Sequence, residues 1–235
     1  MNAALSPVRG LVWGIEQIEA YVKETVTEKL SSIPLKNIRT PDPSIAGPLL
    51  QSIRFVGNKS ELAQLYANLL AASMNSDTLA GAHPSFIEII RNLSSDEAKL
   101  LSYLKAHHRL YVGWLAVDGI EASDLFLIDD EASQELQGHA FIASYIQNLD
   151  RLGLATGDAY KTAKEYNSIH YVYKSDKEEL ENAIHNILNS SRANTIYKAY
   201  DDIKIGEDVV KEQARFSYIS PTWFGDQFLN MCVED

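Results

Sequence analysis

The chain has a single cysteine, Cys232, so no internal disulfide can form and a small cross-linked scaffold is excluded. That usage suits a reducing compartment. Long apolar runs are missing too. Leu69–Ser73 (LLAAS) and Val112–Val117 (VGWLAV) fall far short of the roughly 20 residues a membrane-spanning helix needs. The N-terminus lacks a basic flank followed by an apolar core, the pattern of a signal peptide, and the expected location is therefore cytoplasmic. Positive charge is scarce: 21 Lys and Arg stand against 32 Asp and Glu, a net charge of −11. Gly10, Gly14 and Gly47 are isolated and build no phosphate-binding loop. Ser6, Ser73 and Ser85 lack the Gly-x-Ser-x-Gly setting of an esterase nucleophile.

What is present is ordinary globular usage, 46% apolar and 23% charged over 235 residues. That length makes one large domain or two small ones, either with a real core. The negative charge is unevenly placed. Residues 1–92 hold 8 basic and 8 acidic side chains, whereas residues 93–235 hold 13 and 24. Nucleic-acid affinity rests largely on Lys and Arg displacing counterions from phosphates, so an acidic second part argues against DNA or RNA as the main partner.

Apolar residues from Leu5 to Leu30 recur at spacings of three and four, which predicts an amphipathic helix over residues 4–30. Residues 34–48 hold four of the seven prolines, so an extended segment is expected, anchored by Leu35, Ile38 and Ile45, with a short helix from Pro48 to Phe55. Ser60 is expected to cap a helix carrying Leu62, Leu65, Tyr66, Leu69 and Leu70, closed by Asn75-Ser76-Asp77. Pro84 then opens a helix whose apolar side is Phe86, Ile87, Ile89 and Ile90. Ser94 and Glu97 form a capping box ahead of Leu100, Leu101 and Leu104.

The second part changes character. Tyr111–Val117 reads as a strand or loop, and Ile120–Leu136 is acidic and weakly periodic. A helix follows over Gly138–Leu152, ended by Gly153. A helix closing in Asn148-Leu149-x-x-Leu152-Gly153-Leu154 and leading into a strand is the pattern of a winged helix, with Arg215–Ile219 as return strand. Residues 158–212 become an insertion with a helix over Asp176–Leu188, and Ser220-Pro221 opens a closing helix. The expected fold is mainly α: a helical module over residues 1–92, then a winged-helix-like α+β domain over residues 93–235 with a long insertion in the wing.

Candidate chemistry is thin. His107 and His108 are adjacent, point apart on a helix and have no ligand at i+3 or i+4. His83-Pro84 reads as a turn in which the imidazole bonds a backbone carbonyl. Asp129-Asp130-Glu131 and Asp201-Asp202 lack the spacing and glycine of a calcium loop and read as solvated acidic loops. Cys232, between Met231 and Val233, reads as a packed thiol. The aromatics between Tyr166 and Tyr218 lack basic neighbours, which favours a protein interface or a small core over base stacking. No catalytic residue, metal ligand or cofactor site is expected, and the chain reads as non-enzymatic.

Several motifs resemble those of the abortive infection alpha (Abi-alpha) family of bacterial proteins. They are Leu-Ser-Pro-x-x-Gly-Leu-x-Trp-Gly (Leu5 to Gly14), Pro-Asp-Pro-x-Ile-Ala-Gly-Pro (Pro41 to Pro48) and Tyr-Ala-Asn-Leu-Leu-Ala-x-Ser-Met (Tyr66 to Met74). Ala-His-Pro-Ser-Phe (Ala82 to Phe86), Leu-Ser-x-Asp-Glu-Ala (Leu93 to Ala98) and Thr222-x-Phe224-Gly225-x-x-Phe228-x-x-x-Cys232 continue the likeness. The resemblance is dense over residues 4–101 and thin over 105–215. Pro221 departs from it, standing where the family has an aliphatic residue. Family members often have more sequence before the first motif, so the expectation is a trimmed or short-form chain.

The resemblance implies a role in defence against phage, or a related stress response, and brings no reaction and no catalytic residues. The positions it singles out, for structure or interaction, are Trp13, Gly14, Asp42, Pro43, Gly47, Asn68, His83, Pro84, Gly225 and Phe228. Asp42, Asn68 and His83 are expected to satisfy buried backbone. The resulting expectation is a protein that works through protein contacts and homo-oligomerisation, without a membrane segment. A winged-helix DNA-binding regulator, with the helix near residues 139–152 in the major groove, is the alternative.

Overall fold

A computed structural model describes residues 15–56, 61–115, 126–128, 130–133, 136–137, 141–157, 161–162, 182, 185–186, 189 and 214–234. These residues are mainly helical, with one antiparallel sheet, and the chain divides into two compact units. Unit 1 takes residues 1–105 and 223–235; unit 2 takes residues 106–222. The boundary thus falls at 105/106 rather than 92/93, and the C-terminal helix belongs with the N-terminal helices.

Unit 1 contains α1 (Ile15–Leu30), α2 (Pro43–Ile53), α3 (Glu61–Met74), α4 (Ser85–Arg91), most of α5 (Ser95–His107) and α8 (Trp223–Cys232). Helix α3 is the centre. It packs against α1, α2, α4 and α8, and its Ala63, Leu65, Tyr66, Ala67, Asn68, Leu69, Leu70, Ala71 and Ser73 are all buried. Alanines spaced by four let the neighbours approach closely. The densest core joins Leu49, Ile53, Tyr66, Leu69, Phe86, Ile87, Ile90, Leu100, Leu101, Leu104 and Phe228, each under 2% exposed.

Two expectations in this unit are corrected. The second helix starts at Pro43, not Pro48. Asp42 has extended backbone and accepts from the Ser44 amide at 2.7 Å, an N-cap followed by proline at the first helical position, where a missing N–H costs nothing. Pro48 then sits inside the helix. The segment before it is also not wholly extended. Leu35–Asn37 form a 3-10 turn, and Leu35, expected as an anchor, is 86% exposed. The capping box stands as read: the Ser94 amide donates to Glu97 Oε2 at 2.6 Å and the Glu97 amide to Ser94 Oγ at 3.2 Å. The residues of the first helix before Ile15, and Ser60, lie outside the described ones.

In unit 2, β1 (Leu110–Leu115), β2 (Phe126–Leu127), β3 (Ala155–Gly157), β4 (Lys161–Thr162) and β5 (Ala214–Pro221) form the sheet, joined by α6 (Asp130–Ser133) and α7 (Ile142–Arg151). The order is β2-β1-β5-β3, and β4 also pairs with β5. The strand expected over 215–219 is therefore β5, paired antiparallel with both β1 and β3 (Tyr111 opposite Tyr218, Ala155 opposite Pro221). Tyr111 and Tyr218 also touch ring to ring at 6.3 Å, and the Arg109 guanidinium lies 5.3 Å from the Tyr218 ring centre. Glu131, read as part of an acidic loop, is in α6, whereas Asp129, Asp201 and Asp202 lie outside the described residues, as does nearly all of the expected insertion.

Among the described residues, two left-handed ones punctuate the chain. Gly153, at φ 72°, ends α7 in a Schellman closure, with Leu154 N–H donating to Leu149 O at 2.9 Å and Gly153 N–H to Asp150 O at 2.8 Å. The Thr222 hydroxyl donates to Gly153 O at 2.5 Å and its amide to Leu154 O at 3.0 Å, which ties this turn to the end of β5. His108, at φ 60°, follows α5 in the same conformation despite its Cβ. Gly153→Ala should therefore lower stability by about 1 kcal/mol while His108→Gly raises it by up to about 1 kcal/mol, because only glycine is free of the left-handed penalty. Urea unfolding midpoints check the pair, and shifts of the same sign in both variants would contradict it.

Candidate functional site: a seam joining the family motifs

The motifs around Asn68, His83 and Phe228 meet in unit 1, where α8 lies against α3 and α4. Asn68 is buried within α3, and its Nδ2 donates to Cys232 O at 2.7 Å. Cys232 is the last residue of α8, so its carbonyl has no acceptor role left inside that helix. An amide side chain from α3 fills the gap. Gln227, one helical turn and a half earlier, donates through Nε2 to Gly81 O at 3.1 Å, fixing the other side of α8. Gly81 leaves room for Met231: a Cβ there would lie 3.0 Å from its sulfur.

Between these polar ties lies an aromatic cluster. Phe86 meets Phe228 edge-on with ring centres 5.2 Å apart, Phe224 at 5.4 Å and His83 at 6.1 Å. Phe86 and Phe228 are completely buried, Phe224 is 37% exposed, and Trp223 beside it is 90% exposed. The cluster therefore runs from the core to the surface at the first turn of α8. Gly225 is buried in that turn.

His83 does not bond a carbonyl as expected. Its Nδ1 accepts from the Ser85 amide at 3.1 Å and lies 2.6 Å from Ser85 Oγ. It caps the start of α4, where free N–H groups need acceptors and carbonyls do not. Pro84 is exposed in the same turn. Asp42 is likewise an exposed cap, and hydrogen bonds from the Ser44 side chain and amide hold its carboxyl below the usual carboxylate range. Of the three polar motif residues, then, only Asn68 serves buried backbone. Pro43 and Gly47 are exposed on α2, with open space around a Cβ built on Gly47. Trp13 and Gly14 lie outside the described residues.

No three His, Cys, Asp or Glu side chains among the described residues gather as a metal site would require. His107 Nε2 does come within 3.7 Å of Glu131 Oε1, a partner too distant in sequence for spacing to reveal, but both are exposed. A polar cleft of about 660 Å³ lies by α1, lined by Tyr21, Glu24, Glu28, Gln64 and the Lys29–Glu234 ion pair among others. Burial raises the Tyr21 hydroxyl above its ordinary range, opposed by a hydrogen bond with Thr25. No described helix is long and apolar enough to cross a membrane.

Against these residues, the sequence model of the family described as abortive infection alpha matches residues 14–232. The chain belongs to the abortive infection alpha family. No curated protein and no solved structure matches it. The match spans the Asn68, His83 and Phe228 motifs alike, and the structure explains their company: residues more than 140 positions apart build one seam. Gln227 and Gly81, which complete it, carried no signal in sequence because a single glutamine-to-carbonyl bond has no spacing rule. Members of the abortive infection alpha family are by that description linked to defence against phage.

Replacing Asn68 by Ala strands the Cys232 carbonyl and should cost about 1–3 kcal/mol. Equilibrium unfolding would show it, and a loss below a few tenths would mean that the bond carries nothing.

The seam also predicts an alkaline limit. Burial pushes the Cys232 thiol well above its ordinary value, and burial pushes the Tyr66 hydroxyl up to about 12. Both groups bind their protons more tightly folded than unfolded. Their contribution is complete below the unfolded values and is lost as pH rises past about 8.5 for a thiol and about 10 for a phenol. Unfolding midpoints between neutral and strongly alkaline pH should fall in two limbs, and Cys232→Ala should remove the first alone. A first limb that survives in that variant would refute the assignment.

Proposed function

We propose that this protein is a cytoplasmic, non-enzymatic component of abortive infection that acts by contacting another protein and by self-association. The observation that supports this reading is the exposed aromatic edge at the start of α8. Trp223 and Phe224 stand out from a rigid base made by Phe86 and Phe228. Large aromatics held in place and left in water are the residue type on which protein interfaces concentrate their binding energy.

We read unit 2 as winged-helix-like. Support comes from the β1-β5-β3 strand order and from α7 running directly into the β3 hairpin arm. In a DNA-binding winged helix, α7 would enter the groove. Its exposed positions are Ser144, Gln147, Asp150 and Arg151, and Arg151 donates to Asn148 Oδ1 at 2.6 Å. One cation, offset by a neighbouring carboxylate, is poor equipment for a phosphate backbone, so a protein partner is the reading we adopt for this unit also.

The test is a plating assay with a phage panel on cells that express the chain. Wild type should reduce plating of at least one phage. The Trp223→Ala variant, at a position 90% exposed, should lose that protection by about tenfold or more, as expected for an interface hot spot worth about 2 kcal/mol, with its melting temperature unchanged. Full protection by the folded variant would sink the contact-surface assignment, and no protection by wild type across the panel would sink the defence role.

A further inference from the structure

The turn that opens α4 brings a hydroxyl and an imidazole together. His83 Nδ1 lies 2.6 Å from Ser85 Oγ and also accepts from the Ser85 amide at 3.1 Å. A backbone amide nitrogen only donates, so Nδ1 carries a lone pair and the neutral ring holds its proton on Nε2. The hydroxyl therefore directs its own proton at Nδ1, which leaves the Oγ lone pairs for another partner. Capping of α4 is complete with the amide contact alone. The hydroxyl contact is a second feature, a base held against a nucleophile. The pair is also rigid. Pro84 stands between its members with φ −57°, fixed by the pyrrolidine ring. The Phe86 amide donates to His83 O at 3.0 Å and closes the turn, and the imidazole rests 6.1 Å from the fully buried Phe86 ring. His83 is exposed and Ser85 half-buried, so the pair is open to water.

We propose that Ser85 is an acceptor site that takes an acyl group from a neutral activated ester, with His83 Nδ1 as the base. Oγ attacks the acyl carbon as its proton passes to Nδ1. An Oγ–C bond forms and the bond from that carbon to the leaving oxygen breaks. The proton then moves from Nδ1 to the leaving oxygen, which departs as an alcohol. Ser85 is left as an ester, and nothing is oxidised or reduced. While protonated, Nδ1 would turn a second N–H toward the Ser85 amide, so the ring is driven to hand the proton on. The chain's net charge of −11 repels a polyanionic phosphoryl donor, a barrier that a neutral acyl donor does not meet. The reaction is stoichiometric, and it stands independently of the contact surface on α8.

Incubation of the full chain with p-nitrophenyl acetate, followed by peptide mass mapping, tests the proposal. One acetyl group should appear on Ser85. Its rate should exceed by about 100-fold or more that of Ser31 and Ser32, as expected for assistance by a positioned base. Those two serines are exposed, and their hydroxyls donate to backbone carbonyls instead. His83→Gln keeps an oxygen that can accept from the amide but supplies no base. It should bring Ser85 down to the level of Ser31 and Ser32 with the melting temperature held. Should that variant unfold, the comparison of serines within the wild-type chain decides alone. Acetylation of Ser85 no faster than of Ser31 and Ser32 would overturn the proposal. So would wild-type acetylation in a folded His83→Gln variant, or steady release of p-nitrophenolate with no adduct on Ser85.

Discussion

Beyond its first turn helix α3 is nearly all apolar or small residues, and a helix of that kind holds together in water only when neighbours cover most of it. Four helices do so here, and the last of them, α8, comes from the far end of the chain. The entropy of closing so long a loop grows only with the logarithm of its length. Burial of Phe228, Leu229 and Cys232 readily offsets such a term, since each large apolar side chain removed from water contributes about 1.5–3 kcal/mol. Asn68 and Gln227 then select one placement of α8 among the many that would bury the same area. Each leaves a carbonyl unsatisfied if the helix slides.

The family positions divide along the same line. Asn68, Gly225 and Phe228 hold the seam, and His83 with Pro84 and Asp42 with Pro43 start the helices that form its surroundings. These are roles in packing and capping. The surface departs from a plain solvated coat at the aromatic edge of α8, where Trp223 and Phe224 present apolar area outward, as a protein contact needs.

Much of the helical unit could be read from local pattern. The capping box at Ser94–Glu97 was legible because both partners lie within four residues. Phe86, Ile87, Ile89 and Ile90 were legible as core, and Gly153 as a helix stop, for the same reason. Proline in this chain starts and continues a helix as well as breaking one. Pro43 starts a helix after Asp42, and Pro48 is carried inside it. Leu35, exposed in a 3-10 turn, shows that an apolar residue in a proline-rich segment need not be an anchor. The His83 turn is legible in sequence but its partner is not, because whether a ring nitrogen meets N–H or C=O depends on which end of a helix it faces.

The amino-acid sequence alone determined the helical periods, the caps, the uneven charge and the family likeness, since each rests on neighbours a few residues apart or on whole motifs. Tertiary structure decided that α8 completes the first unit and that β5 pairs with both β1 and β3. It also decided that Phe86 bridges two motifs. Such facts depend on which distant surfaces exclude water together, and periodicity along a chain carries no information about that choice.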